Sequence, residues 1–240
     1  MMVGITNWQQ QVPVPHSFTG SNAWSVPLQP TFETTPKSAV AIAANGIPIF
    51  NPLNNRGEDA KIIGELDNWG GHCGKADDYH YHVAPLHLSS TAYPHFPIAI
   101  ALDGFAIYGS TEPDGTSVQP LDENNGHIYK NSYHYHGINS YPYIMGSMRG
   151  KVATDPSTTA PENQITPQPS FSPVREAQSP LNGASIADFS ALSTRSYKLT
   201  YQLSGNNGYV EYSWDETEKN FTYKLTSPSG AVTNNTYTRK

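Results

Sequence analysis

Two tetrads of identical spelling, Tyr79-His80-Tyr81-His82 and Tyr133-His134-Tyr135-His136, are the residues best placed to do chemistry. On a β-strand successive side chains point to opposite faces, so each tetrad puts its two histidines on one face and its two tyrosines on the other. The paired histidine Cα atoms then lie about 6.5 Å apart. At that spacing two imidazoles converge on one ion at bonds of about 2.0–2.1 Å. Each tetrad is preceded by a further histidine in a Gly-His pair, His72 and His127 respectively. The expected ligands are therefore His72, His80, His82, His127, His134 and His136, and imidazole donors suit zinc or copper. The competing reading is a histidine–tyrosine core with no metal.

Around these ligands other groups recur. Asp67 and Asp122 occupy matched positions, where a carboxylate either orients a ligating histidine or caps its own loop. Tyr79, Tyr81, Tyr133, Tyr135, Tyr141 and Tyr143 are expected to form a belt around this region, packing with hydrogen-bonded tips. Asp78 precedes the first tetrad, where the second has Ser132, and is the candidate general base. Cys73 reads as an inert buried thiol, since Ile128 takes its place after the second Gly-His. Asp103 reads as a hairpin-turn residue. The run Glu112-Pro113-Asp114-Gly115 offers oxygen ligands for calcium but is more simply a turn. His16, His87 and His95 lack a counterpart and are read as ordinary histidines.

The elements that must position these residues are also written twice. Ala41-Ile42-Ala43-Ala44-Asn45-Gly46-Ile47-Pro48-Ile49-Phe50 and Ala99-Ile100-Ala101-Leu102-Asp103-Gly104-Phe105-Ala106-Ile107-Tyr108 each place Asn-Gly or Asp-Gly between apolar runs. That is a hairpin signal, with positive φ expected at both turn residues. The offset between copies drifts only from 58 residues (Ala41 to Ala99) to 54 (Tyr79 to Tyr133). An internal duplication about a pseudo-twofold axis is expected. Two arrangements are open: one ion per copy, or a shared site where the two His-x-His strands meet. The shared site is preferred, because duplicated folds often place function between their copies.

The fold class is read as mainly β. It has an internally duplicated pseudo-twofold core, a hairpin plus a His-x-His strand in each copy, and a C-terminal antiparallel meander. Residues 1–40 are expected to be an extension, with one strand near Trp24–Val26, that packs on the core; 41–152 the core, with copies at 41–82 and 99–136; 153–180 a Pro/Ser/Thr-rich linker or strap; and 181–240 the meander. Its four strands are expected at Tyr197–Leu203, Tyr209–Trp214, Phe221–Leu225 and Val232–Thr238. Such a meander is too small to stand alone and is expected to pack on the core.

The 240 residues carry a net charge of −6 with no basic run, which argues against nucleic acid and anionic membranes. No apolar stretch is long enough to span a bilayer, so membrane insertion is not expected. With one cysteine no internal disulfide is possible. Low charge and many Tyr, Asn, Ser, Thr, Gly and Pro suggest an extracellular or periplasmic protein, its signal segment removed before this sequence begins.

Asp77-Asp78 with the first tetrad, Ala101–Gly109, the second tetrad, Tyr141-Pro142-Tyr143 and Met148-Arg149-Gly150 together resemble the bacterial YHYH-domain proteins. The resemblance covers roughly residues 40–152, and the meander is similar to the tail of many members. It implies export but supplies no mechanism. Many members carry cysteines where this chain has Asn124 and Ser147, so a thiol or disulfide role does not transfer.

The function expected is an exported metal-binding protein, acting as a metal-dependent enzyme, hydrolytic with zinc or oxidative with copper. The alternatives are a non-catalytic metal- or glycan-binding protein and a structural or adhesive module. The substrate, a small molecule or an extracellular polymer, is not specified.

Overall fold

A computed structural model describes residues 2–7, 12–16, 23–33, 41–74, 78–91, 95–157, 165–166, 173–176, 178–179 and 181–239. The chain forms two compact units. The first comprises Met1–Ser17, Ala60–Tyr79 and Phe171–Lys240; the second comprises Phe18–Asp59 and His80–Ser170.

The histidines sit in an eight-stranded sheet. Its strands are β1 (Ala41–Ala43), β2 (Pro48–Ile49), β3 (Gly71–Cys73), β4 (Tyr79–Tyr81), β5 (Ala99–Ala101), β6 (Ala106–Tyr108), β7 (Gly126–Tyr129) and β8 (Ser132–His136). One short helix, α1, covers Leu88–Thr91. The order β3-β4-β2-β1-β5-β6-β8-β7 reads the same from either end once each strand is exchanged for its counterpart. At the centre β1 and β5 run antiparallel, pairing Ala41 with Ala101, Ile42 with Ile100 and Ala43 with Ala99. The local twofold thus passes between Ile42 and Ile100. On either side the parallel contacts also match, Ile49 opposite Tyr81 and Ile107 opposite Tyr135. The mainly β, pseudo-twofold reading holds.

The two hairpins differ from expectation in one respect. Only Gly46 and Gly104 have positive φ, +82° and +90°; Asn45 and Asp103 do not. The bonds Gly46 N–H to Ala43 O and Ala43 N–H to Ile47 O, repeated at Gly104 and Ala101, define three-residue loops ending in a left-handed glycine. The β7–β8 turn is the tighter kind, with Lys130 (φ 48°) and Asn131 (φ 68°) both left-handed.

The expected strand near Trp24–Val26 is absent. The extension instead lays the Pro27 carbonyl against Gly104, where a Cβ would stand 2.2 Å from its oxygen. Phe32 bridges to Gly150. In the strap, Ala153–Thr154 (β9) pairs with Ile165–Thr166 (β10), and residues 158–164 and 167–172 lie outside the described ones.

In the first unit a separate five-stranded antiparallel sheet runs in chain order: β11 (Ser185–Ser193), β12 (Ser196–Leu203), β13 (Asn206–Trp214), β14 (Asn220–Thr226) and β15 (Val232–Thr238). The four expected strands are there, and β11 adds a fifth. Stacked rings bind the sheet: Phe189 on Tyr197 at 5.4 Å, Tyr197 on Trp214 at 5.6 Å and Tyr212 on Tyr223 at 5.5 Å. Tyr212 donates to the Pro13 carbonyl at 2.7 Å, tying the N-terminal segment to this sheet. No described helix is long and apolar enough to cross a membrane.

Candidate metal centre

The β7–β8 hairpin sets His127 opposite His134 and Ile128 opposite Tyr133. Alternation along β8 then turns His134 and His136 to the face of His127, and Tyr133 and Tyr135 to the other. On the histidine face the three Nε2 atoms converge: His127 to His134 is 3.1 Å and His134 to His136 is 2.9 Å.

A fourth group completes the set. Glu112 opens a turn closed by Glu112 N–H to Thr116 O (2.9 Å) and Gly115 N–H to Glu112 O (2.8 Å), with Gly115 at φ +83°. The turn drives the Glu112 side chain inward until it is 0 % exposed. Its oxygens lie 3.2 Å from His127 Nε2, 3.2 Å from His134 Nε2 and 3.5 Å from His136 Nε2. One donor atom from each of the four residues falls within 4.8 Å of all the others. Neighbouring donors around one ion stand about 2.9 Å apart in an octahedron and about 3.3 Å apart in a tetrahedron, at bonds near 2.05 Å.

Protonation matters here. The Nδ1 of His136 faces the Gly109 carbonyl at 2.8 Å. A carbonyl only accepts, so Nδ1 carries the hydrogen and Nε2 presents a lone pair. Burial holds His136 below the usual imidazole range and His134 at about 4, so both are neutral at neutral pH. Burial pushes the Glu112 carboxyl up, but the Gln119 amide and the three imidazoles outweigh it and its pKa falls. The Oε1 atom accepts from Gln119 N–H at 2.8 Å; the buried Oε2 accepts from no hydrogen-bond donor among the described residues. A carboxylate and three imidazoles thus share one small space. A single proton serves one of their short contacts, whereas a cation serves them all.

The other tetrad is built likewise. His80 and His82 bring their Nε2 atoms to 3.1 Å, and His82 Nδ1 donates to the Asn51 carbonyl at 2.5 Å. Burial, with the His80 charge second, lowers the His82 pKa to about 3. Phe50 stacks on His80 at 4.3 Å, the place that Tyr108 takes beside His134 at 4.9 Å. His72 is buried on β3 in the first unit.

The preferred shared site is overturned. The four tetrad histidines do not form one group, because β2, β1, β5 and β6 lie between β4 and β8. The local twofold runs through the β1–β5 pair, which sends the His-x-His strands to opposite flanks of the sheet.

Of the carboxylates, Asp67 and Asp122 cap their own loops. Asp67 Oδ1 accepts from Trp69 and Gly71 N–H, and Asp122 Oδ1 from Asn124 and Gly126 N–H. Their Oδ2 atoms accept from Tyr79 and Tyr133 hydroxyls at 2.8 and 2.9 Å. The four tetrad tyrosines are buried as expected, and Tyr135 donates to Asp103 at 2.5 Å while Tyr81 accepts from Asn45 Nδ2 at 3.0 Å. Asp103 does more than turn a hairpin: it is fully buried and also accepts from Phe105 and Gly150 N–H. Asp78 is buried just before β4 in the first unit, outside the Glu112 group. Cys73 is buried too. His87 touches Tyr81 and His95 the Pro113 carbonyl, and neither belongs to the Glu112 group. Asn124 and Ser147, where the resembling family carries cysteines, hydrogen-bond to one another.

Glu112, read from the sequence as a turn residue with oxygens suited at most to calcium, instead joins the histidines. Its signal was present: Asn54-Asn55-Arg56-Gly57 stands 58 residues before Glu112-Pro113-Asp114-Gly115, at the offset of the hairpins.

The fold and site define a mainly β protein with two histidine groups able to hold metal, one of them completed by a buried carboxylate. Residues 23–120 match the family described as YHYH protein. The match spans Glu112 and the first tetrad and ends before His127. None of the curated proteins or solved structures compared matches the chain.

Proposed function

We propose that this is an exported metal-binding protein whose principal centre is Glu112, His127, His134 and His136. The observation that carries the reading is the meeting of three imidazole Nε2 atoms and a fully buried carboxylate at 2.9–3.5 Å. A buried carboxylate is stable only when paired, and neutral imidazoles pair it poorly. Three nitrogens and one oxygen suit zinc, copper and their divalent neighbours. Export rests on the composition and on the family resemblance.

The donor count bears on chemistry. Four protein donors fill a tetrahedral zinc site and leave no place for water, the pattern of a binding site and not of a hydrolase. An ion that takes five or six ligands, such as copper(II), keeps open positions on the same four residues. The reading is therefore metal binding first, with turnover reserved for an ion of higher coordination.

The test is elemental analysis of untagged protein after exposure to zinc or copper and dialysis. About one retained ion per chain is expected, lost in His134→Ala and His136→Ala but kept in His87→Ala and His95→Ala. Retention unchanged by the first pair, or no retention at all, overturns the reading.

A further inference from the structure

Phe32 and Ile128 are large apolar side chains that stay 57 % and 66 % exposed, and both line one cleft. Pairing across the β7–β8 hairpin sets Ile128 opposite Tyr133, and alternation along β7 turns it away from the face that carries His127. Because β7 is the outermost strand, the cleft also reaches His127 around its edge. Phe32 comes to the cleft through its bridge to Gly150. Its ring meets Tyr133 edge-on at 5.5 Å and Phe105 at 5.6 Å, so it is held in place while still open to solvent. Together with Pro120 and Leu121 these side chains wall a volume of about 530 Å³. Small-molecule sites commonly span about 300–1,000 Å³.

The cleft also carries charge. Arg149 lines it, with its guanidinium carbon 5.8 Å from the centre of the Phe32 ring. The backbone beneath is fixed: Arg149 N–H donates to the Tyr135 hydroxyl at 2.6 Å, and the Arg149 carbonyl accepts from Glu33 N–H at 3.1 Å. The other described Lys and Arg side chains of this unit each hold a carboxylate, Arg56 on Glu58 at 2.6 Å, Lys130 on Asp114 at 2.9 Å and Lys151 on Glu33 at 3.6 Å. Arg149 makes no ion pair among the described residues and keeps the Phe32 ring. Asp122 lines the same cleft, but its oxygens already accept from Asn124 N–H, Gly126 N–H and the Tyr133 hydroxyl. An apolar wall thus adjoins a positive charge that the surrounding residues leave uncommitted.

We infer that this cleft binds a small organic carboxylate with an apolar body, the carboxylate on Arg149 and the body against Phe32, Ile128 and the Tyr133 ring. A guanidinium presents parallel N–H groups that match the two oxygens of a carboxylate. The apolar body takes Phe32 and Ile128 out of water, which supplies the non-directional part of the binding. The site goes beyond metal binding and needs no ion: of the Glu112 group, only His127 lines the cleft among the described residues.

The probe is 2-naphthoate, titrated by calorimetry into the chelator-treated full chain, with 2-naphthamide as its uncharged twin. The wild type is expected to take up one naphthoate per chain and to bind naphthamide at least about 10-fold more weakly. Arg149→Gln should erase that preference, and Arg149→Lys should keep part of it. Ile128→Asp, at an exposed position on an edge strand, should remove naphthoate binding outright. Leu192→Ser, an exposed side chain in the other unit, should leave it unchanged. Bound naphthoate should shift the Ile128 methyl resonances. No saturable naphthoate binding to folded wild type would overturn the inference, as would naphthoate binding that equals naphthamide binding and survives Arg149→Gln. A wild-type dimer in sedimentation that Ile128→Asp dissociates would overturn it too, because the cleft would then be a contact between copies of this chain.

Discussion

His82, His134 and His136 are held neutral by burial, and that carries a sign. Their folded pKa values lie below the ordinary imidazole value near 6.5. The stability they contribute is present above about pH 6.5 and is lost as pH falls, because the unfolded chain takes up protons first. His82, at about 3, is expected to cost about 2 kcal/mol between pH 7 and pH 5. Urea unfolding of metal-free protein at the two pH values checks this, and His82→Asn should flatten the difference. Asp103 runs the other way. Burial raises its carboxyl pKa, so its contribution is full below the unfolded value near 4 and declines as pH rises. Asp103→Asn, the residue its counterpart Asn45 already is, should gain stability relative to wild type between pH 4 and pH 7. The reverse trend would mean that the Tyr135 and Gly150 hydrogen bonds outweigh desolvation.

At the level of elements, the hairpins offer a matched pair. Gly46 and Gly104 are both left-handed, but a Cβ at Gly46 meets nothing within 4 Å, while at Gly104 it meets the Pro27 carbonyl at 2.2 Å. Gly46→Ala should cost about 1 kcal/mol of backbone strain; Gly104→Ala should cost more and loosen the Pro27–Pro30 segment. Thermal unfolding of both variants checks the order. The hairpins, the His-x-His strands and four meander strands were legible because each carries apolar alternation or a turn dipeptide. Strand β11 was not: Ser185–Ser193 alternates little and owes its conformation to pairing with β12. Trp24–Val26 has the composition of a strand but pairs with no strand among the described residues. Glu112 was hidden because Pro-Asp-Gly signals a turn, and turns are read as solvent-facing. The shared site failed for another reason. Local pattern shows which face of a strand holds the histidines, but strand order decides which faces meet, and four strands intervene.

For the whole molecule, an ion that binds only the folded chain stabilises it by mass action. Zinc at about 100 times its dissociation constant should add about 2.7 kcal/mol to unfolding, and Glu112→Gln should forfeit most of that. Hydrogen exchange should localise the gain to β7, β8 and the Glu112 turn, because those segments carry the four donors. The central claim is that these donors hold one ion. Anomalous X-ray scattering from crystals of untagged protein grown with zinc tests it most directly. A peak is expected about 2.0–2.2 Å from Nε2 of His127, His134 and His136 and from a Glu112 oxygen. Undisturbed imidazoles at their present spacing with no peak between them, in protein saturated with zinc, would contradict it.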